Sequence, residues 1–349
     1  MRRETPDTVS VLFEIPEDLK DGFQFHAGQF VNVRAILDGE ETRRSYSICS
    51  TPMSGELRVA VKKVQGGKFS TYANEILKAG DTMEVMPPEG KFILKHDDDE
   101  RNTYVFFAAG SGITPVISLI TTILETMPNG NAILFYGNRT IDSIIFREQL
   151  DALKNRYLRR FELHHILSRE KQEAPLFNGR IDAEKCKTFS KIFFQIPEVR
   201  RFFLCGPELM TFSLRECLIE LGGDEHDIAI ELFTTPGDKS HAPVQLIHKV
   251  AIDPQKECHV TVRLDGDTTE FTLAYGGQSI LDAATAAGLD VPYSCKGGVC
   301  CTCKAMLLEG EVDMDVVYGL EPDEIEDGFI LTCQSHPRSE TVLVDYDIR

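Results

Sequence analysis

Four cysteines toward the C-terminal end, Cys295, Cys300, Cys303 and Cys333, have the type and spacing of a metal-ligand set. They stand as C-x4-C-x2-C, with the fourth after a gap of 29 residues. That is the ligand spacing of a [2Fe–2S] cluster, in which each iron takes two thiolates. Gly297 and Gly298 let the backbone wrap closely and turn N–H groups toward the sulfides, because glycine tolerates positive φ and has no Cβ. The pattern puts Cys333 on a separate strand, Phe329–Gln334. Closing that loop costs roughly 3 kcal/mol of chain entropy, small beside metal–thiolate bonding. The alternative is a structural zinc site, but zinc ribbons pair two C-x2-C knuckles and only Cys300/Cys303 forms one. Cys301, between the ligands, is expected to be a spectator thiol. A chain holding such a cluster moves electrons one at a time.

A second group of residues lies near the N-terminus. In Arg44-Ser45-Tyr46-Ser47, Arg44 can fork onto a phosphate oxygen, with charge-assisted bonds worth about 1.5–3 kcal/mol each. Tyr46 offers a flat face and Ser47 a hydrogen bond. Downstream, the run from Val61 through Lys62, Lys63, Gly66, Gly67, Lys68 and Phe69 to Ser70 brings a glycine pair to the start of a helix. Backbone N–H groups and the helix dipole make an anion site there.

A third group follows. Gly110-Ser111-Gly112-Ile113-Thr114-Pro115 sits between a strand and a helix. Two glycines allow close approach of a pyrophosphate, and Pro115 suits the first helical position. The third glycine of the dinucleotide fingerprint is absent. Tyr136-Gly137-Asn138-Arg139-Thr140 ends the next strand, where an adenosine ribose is usually read. Arg139 there, with no acid to pair a 2′-hydroxyl, leans toward a 2′-phosphate. Cys205-Gly206-Pro207-Glu208-Leu209-Met210 closes a later strand, and Cys205 alone would also serve as a small core residue. Glu231-Leu232-Phe233 ends the last strand of this segment, with Phe233 expected in the core. The nine histidines show no metal spacing, and His164-His165 is incidental.

These groups need elements to hold them. At 349 residues the chain calls for two or three domains. Residues 1–98 are β-rich, with short strands at Val9–Ile15, Gln29–Ala35, Arg43–Ile48, Leu57–Val64 and Thr82–Met86 and one helix at Phe69–Leu77. That pattern predicts a small antiparallel barrel. The acidic run His96–Arg101 is a solvated connection. Residues 99–235 alternate strand and helix: strands at Tyr104–Ala109, Ala132–Tyr136, Phe161–Leu167, Phe202–Cys205 and Ile228–Phe233, helices at Pro115–Met127, Ile144–Tyr157, Ala183–Lys191 and Glu208–Leu221. The alternation predicts a doubly wound α/β sheet. Residues 236–256 read as a linker. Residues 257–349 carry the cysteines, with strands at His259–Leu264 and Thr269–Leu273 and a helix at Ser279–Ala287, an α+β domain.

Composition narrows the function. Residues 257–349 hold 18 acids against 5 bases, out of a whole-chain net charge of −18. That balance argues against nucleic acid and anionic membrane and suits steering onto a basic partner surface. No stretch approaches the length of an apolar membrane span. The first residues show no secretory signal. Ten cysteines in such a chain are expected in a reducing, cytoplasmic setting as metal ligands and free thiols.

Together the motifs resemble the ferredoxin–NADP reductase superfamily, in the arrangement that carries a C-terminal plant-type [2Fe–2S] ferredoxin domain of β-grasp fold. The resemblance covers essentially the whole chain. It implies that R-x-Y-S is the flavin signature and that Val61, Lys63, Gly67, Lys68, Phe69 and Ser70 belong to the pyrophosphate loop, hence FAD. It places Gly110, Gly112, Thr114, Asn138, Arg139, Gly206 and Met210 on a nicotinamide nucleotide, NADPH with NADH as the alternative. Tyr46, Ser47 and Cys205 are the implied catalytic residues. Members of this arrangement are reductase components of oxygenase systems, so the implied partner is an oxygenase protein, among them steroid hydroxylases and Rieske-type ring-hydroxylating oxygenases. A rival from another class is a metal-stabilised binding module without redox chemistry.

Overall fold

The computed structural model describes residues 1–94, 101–233 and 253–348. Two compact units divide the chain, Met1–Phe233 and Thr234–Arg349. The acidic run at 96–100 and linker residues 236–252 lie outside the described residues.

The first unit begins with strands β1 (Arg2–Thr5), β2 (Thr8–Phe13), β3 (Phe30–Leu37), β4 (Glu40–Ser47) and β5 (Leu57–Lys62), then helix α1 (Lys68–Glu75) and strand β6 (Glu84–Val85). They form two antiparallel sheets, β1-β2-β5 and β4-β3-β6. An Ile48–Val59 bridge joins them, so the sheets close as a barrel round Val31, Val33, Ile48, Val59 and Phe69. The β3–β4 hairpin turns on Asp38 (φ 53°) and Gly39 (φ 79°). Two residues at positive φ match the right-handed twist of the strands. This turn fixes the register that sets Arg44 opposite Val33, Tyr46 opposite Val31 and Ser47 opposite Phe30.

Next come β7 (Thr103–Ala109), α2 (Ile113–Thr126), β8 (Asn131–Asn138), α3 (Arg147–Arg156), β9 (Phe161–Leu167), α4 (Ala183–Ile192), β10 (Val199–Gly206), α5 (Glu208–Glu220) and β11 (Ile228–Leu232). The sheet order is β11-β10-β7-β8-β9, with every pair parallel. Strand order reverses between β7 and β10, and ligands bind at the carboxyl edge beside such a switch point. Helix α2 opens at Ile113, two residues before Pro115, still among the N–H groups that have no partner within a helix. Helix α3 starts at Arg147, after Phe146 at φ 60°, later than the apolar periodicity alone indicates. Helix α2 is buried almost all round, because sheet and barrel both cover it: Ala27, Cys49, Ala60, Phe92 and Leu94 of the barrel share one apolar cluster with Ile113, Val116, Ile117 and Ile120. Ser118 Oγ donates to the Ser50 carbonyl at 2.6 Å across that seam.

The second unit contains β12 (Asp253–Leu264), β13 (Asp267–Tyr275), α6 (Ile280–Ala286), β14 (Lys304–Glu309), β15 (Val312–Met314), α7 (Pro322–Glu326), β16 (Phe329–Leu331), β17 (Ser335–Pro337) and β18 (Thr341–Asp345). A mixed sheet runs β13-β12-β18-β14-β16, with β15-β17 as a separate ladder. The β12–β13 hairpin again turns on Asp-Gly, and Asp347 accepts from Asp265 N at 2.7 Å and Gly266 N at 2.9 Å. Strand β12 begins at Asp253, earlier than the pattern indicates and within the segment read as linker. Strand β16 ends at Leu331, so Cys333 stands on a turn and not on the strand. The turn is held where Thr332 Oγ1 donates to the Cys303 carbonyl at 2.9 Å.

Phe203 is fully buried, stacked on Phe106 with centroids 5.1 Å apart and edge-on to Phe92 at 5.2 Å. Phe203→Ala should cost about 3–5 kcal/mol and lower the thermal midpoint of the Met1–Phe233 unit, read by circular dichroism. An unchanged midpoint would mean that the barrel–sheet seam does not depend on this ring.

Candidate functional site

The R-x-Y-S residues of β4 lie at the rim of the barrel. Ser45 Oγ donates to Asn32 Oδ1 at 2.7 Å, and Arg44 Nη1 donates to the Arg43 carbonyl at 2.6 Å. The Tyr46 ring packs 5.4 Å from Phe69, tilted 35°, and burial raises its phenol above the ordinary range. Ser47 is buried and reaches the other half of the unit: its Oγ donates to Glu231 Oε2 at 2.9 Å.

Glu231 ends β11 and stands beside Cys205 on β10. The Cys205 sulfur lies 3.9 Å from the same carboxyl oxygen. As a residue Glu231 keeps some accessible surface, but its carboxyl is crowded by protein atoms. Loss of hydration pushes its pKa from 4.5 up to about 8, partly offset by hydrogen bonds from Ser47 and Cys205. The Cys205 thiol is pushed well above its ordinary value by burial and by the neighbouring carboxyl. Thus a serine, a carboxyl and a thiol converge at the carboxyl edge of the sheet. The sequence reading included Ser47 and Cys205 but gave Glu231 no role. The available signal was an acid closing an otherwise apolar strand, Ile228-Ala229-Ile230. Phe233, expected in the core, is 45% exposed.

The glycine loop after β7 faces the same edge. Gly110 has φ 55°, and its carbonyl accepts from Tyr136 Oη at 2.8 Å. A Cβ on Gly112 would lie 2.1 Å from the Cys205 carbonyl oxygen. Strand packing therefore already demands glycine there, before any pyrophosphate is considered. Thr114 is buried and its Oγ1 donates to the Ser111 carbonyl at 3.0 Å. Lys62, at the end of β5, brings its Nζ within 4.0 Å of a Cβ position at Gly110, a reach that its place in the Val61–Ser70 run does not reveal. A Cβ on Gly206 would meet Met210 Cε at 2.6 Å, which seats buried Met210 against the loop.

Further along the edge, Asn138 is buried beside the Tyr136 phenol, and its Nδ2 has no well-formed hydrogen bond among the described residues. A buried donor of this kind fits a nucleotide hydroxyl or phosphate. Arg139 is exposed beside it. Ladder bonds Ser168 N to Asn138 O and Arg169 N to Arg139 O, both 2.9 Å, set exposed Arg169 next to Arg139. Glu170 is also present: its Oε2 accepts from Ile141 N at 2.8 Å. This corrects the reading that no acid lies near, since the acid comes from the bend that follows β9.

The Val61–Ser70 segment is divided. Val61 and Phe69 are buried core residues, whereas Lys63 pairs with Glu75 and Lys68 with Glu40 at the surface. A Cβ on Gly67 would meet Ser70 Oγ at 2.5 Å, and helix α1 begins there without a side-chain cap.

In the second unit Cys295, Cys300, Cys303 and Cys333 are all buried. Among the described residues no three His, Cys, Asp or Glu side chains converge as one metal ion requires. The cysteines fall instead into two hydrogen-bonded pairs, Cys295 with Cys300 and Cys303 with Cys333. Two thiolates on each of two irons is the [2Fe–2S] arrangement, and the donor set fits it better than a single zinc. Backbone N–H groups point at the sulfurs, from Gly297 to Cys295 Sγ at 3.3 Å and from Cys295 to Cys300 Sγ at 3.5 Å. Lys296 (φ 49°), Gly298 (φ 73°) and Cys301 (φ 57°) wind the loop. The Cys301 thiol turns to the Gly319 carbonyl.

A flavin barrel, a nicotinamide sheet and a cysteine-rich β-grasp unit in one chain define an electron-transferring oxidoreductase. The chain belongs to the ferredoxin–NADP reductase superfamily, in the branch with an added [2Fe–2S] domain, and it works with FAD, NAD(P)H and that cluster. The oxidoreductase FAD-binding domain matches residues 2–93, the oxidoreductase NAD-binding domain residues 106–216, and the 2Fe-2S iron-sulfur cluster binding domain residues 262–338. The chain is 42% identical to a component polypeptide of the 1,2-phenylacetyl-CoA epoxidase of Escherichia coli (strain K12), covering 99% of this chain and 95% of that one. It is 33% identical to the 3-ketosteroid-9-alpha-monooxygenase ferredoxin reductase component of Rhodococcus rhodochrous, covering 98% and 94%. The solved structure of phthalate dioxygenase reductase shares the fold, with a TM-score of 0.59 and 23% identity over 99% of this chain and 95% of that one. No helix among the described residues is long and apolar enough to cross a membrane.

The raised Glu231 carboxyl has a signed consequence. In the folded protein it holds its proton to about pH 8, while an unfolded chain releases it near 4.5. Its contribution to stability is therefore complete below the lower value and drains away as pH rises through the upper one. Glu231→Gln, which cannot ionise, should gain thermal stability relative to the parent between about pH 5 and about pH 8. A constant difference across that window would show that the carboxyl ionises normally.

Proposed function

We propose that this protein takes hydride from NADPH, passes the electrons through FAD to a [2Fe–2S] cluster, and delivers them singly to an oxygenase, the phenylacetyl-CoA epoxidase being the acceptor that the 42% identity favours. One observation carries the reading: the Ser47–Glu231–Cys205 junction and two buried cysteine pairs occur in the same chain. When bound, the flavin supplies two-electron uptake with one-electron release, and the cluster supplies one-electron relay at low potential, about −400 mV for plant-type clusters. The protein positions these groups and sets their surroundings.

In this reading the residues take the following roles. Arg44 and the opening of helix α1 at Gly67–Ser70 hold the FAD phosphates, and Tyr46 covers the ring system. Ser47 and Cys205 line the place where nicotinamide meets flavin. Glu231 holds its proton beside both and supplies a neutral carboxyl there. Gly110, Gly112 and Thr114 shape the pyrophosphate loop, with Lys62 adding charge, and Gly206 and Met210 close over the nicotinamide. Asn138 and Arg139 read the adenosine end. Cys295, Cys300, Cys303 and Cys333 ligate the cluster. The domain limits are 1–98, 99–235 and 257–349, the linker read as 236–256 giving way to strand β12 at Asp253, and the acidic third domain steers onto a basic acceptor face in the cytoplasm. A 3-ketosteroid or Rieske-type oxygenase is the second acceptor reading, favoured by the 33% identity to a steroid monooxygenase reductase. Turnover with each purified oxygenase distinguishes them.

Arg139 and Arg169, adjacent and exposed, support NADPH over NADH. Replacing both with alanine should raise KM for NADPH at least about tenfold, since a charge-assisted bond is worth about 1.5–3 kcal/mol, and leave KM for NADH unchanged. Equal effects on both nucleotides would assign these arginines elsewhere. Cys303→Ser should remove the cluster's visible bands and abolish one-electron transfer to a protein acceptor. The same variant should keep NADPH-driven reduction of a two-electron dye. Parallel loss of both activities would contradict the division of labour between the units.

A further inference from the structure

We propose that Gln334 tunes the cluster: its side-chain amide donates a hydrogen bond to the Cys333 sulfur and raises the cluster's reduction potential. The inference rests on the reading of Cys333 as a cluster ligand.

Gln334 follows Cys333 directly and is buried, 8% exposed. Its Nε2 lies 3.4 Å from Cys333 Sγ, 3.0 Å from the Cys333 carbonyl and 3.1 Å from the Lys296 carbonyl. All three neighbours are acceptors. The amide is therefore oriented nitrogen-inward, because the reversed amide would set its oxygen against two carbonyls and a sulfur. Lys296 sits between the first two ligands, so this one side chain ties the fourth ligand to the loop of the others. The loop closes over it: a Cβ on Gly298 would fall 3.0 Å from Gln334 Cγ.

The effect on electron affinity follows from charge. Adding one electron to the cluster increases negative charge on the ligand sulfurs. An N–H aimed at a sulfur stabilises that added charge, and more so in a buried, low-dielectric setting. The donors from Gly297 N and Cys295 N belong to the main chain and accompany any sequence that folds this way. Gln334 donates from a side chain, so substitution can remove its bond without altering the backbone. It is a positioning residue, acting through Cys333.

The test uses the full chain with its cluster. Gln334→Met keeps the length and bulk and has no N–H. Spectroelectrochemical titration should show its one-electron reduction equilibrium about tenfold less favourable, a midpoint ~59 mV more negative, with the flavin midpoint unchanged. A residue that only braces the loop would lower cluster retention and leave the potential of the surviving cluster unchanged, and that result overturns the proposal. A second measurement needs no variant: the reduced protein labelled with 15N at glutamine side-chain amides should show a 15N hyperfine coupling in pulsed electron paramagnetic resonance. Absence of the coupling overturns the proposal equally. Failure of the underlying reading looks different, because a Cys333→Ser chain that retains the unaltered cluster signal removes the ligand assignment itself.

Discussion

Two sheets of different origin meet at one carboxyl group. Glu231 closes the parallel sheet of the first unit, and Ser47 closes a barrel strand 184 residues earlier in the sequence. Their hydrogen bond, with the Cys205 thiol beside it, needs barrel and sheet to be fixed to each other within a fraction of an ångström. The seam round helix α2 provides that rigidity. Barrel residues and helix residues share one close-packed apolar cluster, and such a core resists small displacements. The neutral carboxyl is a consequence of the same packing. Crowding strips its hydration, and only two weak donors return part of what is lost.

Glycine has a double duty at this edge. Gly110 adopts a backbone conformation that other residues resist, and Gly112 packs on the Cys205 carbonyl more closely than any side chain permits. A motif usually read as a place for phosphate is here also a packing requirement between β7, α2 and β10. Packing alone therefore fixes the shape of this loop. The cysteine loop follows another logic. Its residues at positive φ, two of them not glycine, give a short segment enough curvature to aim backbone N–H groups inward. Neighbouring thiols then form pairs in which each sulfur already has a polar partner.

Much of this was legible in the sequence. Alternating β and α runs predicted every strand of the parallel sheet, because buried parallel strands such as Tyr104–Ala109 are continuous apolar stretches between turn signals. The cysteine spacing and the Arg44–Ser47 motif located two sites. The illegible parts have common physical causes. Strands β14, β15, β17 and β18 are short and gain their identity from partners, as when β18 pairs with β12 on one side and β14 on the other. Phe233 reads as a core aromatic but is exposed. The surface partners of Lys63 and Lys68, Glu75 and Glu40, come from other segments and have no signal in the basic run itself. The acid near Arg139 is not visible in the sequence because Glu170 comes from the bend after β9, about thirty residues on.

By itself the sequence determined the order of the three domains, the cofactors they take and the spacing of the cysteines. Those features depend on local chemistry: periodicity, and ligand spacing along one loop. Tertiary structure alone decided that Glu231 stands between Ser47 and Cys205, that Arg169 joins Arg139, that Lys62 reaches the glycine loop, and that the cysteines divide into two pairs. Apart from the Cys295–Cys300 pair, each of these joins residues far apart in the chain, and their proximity is set by sheet order and core packing, which no short window of sequence encodes.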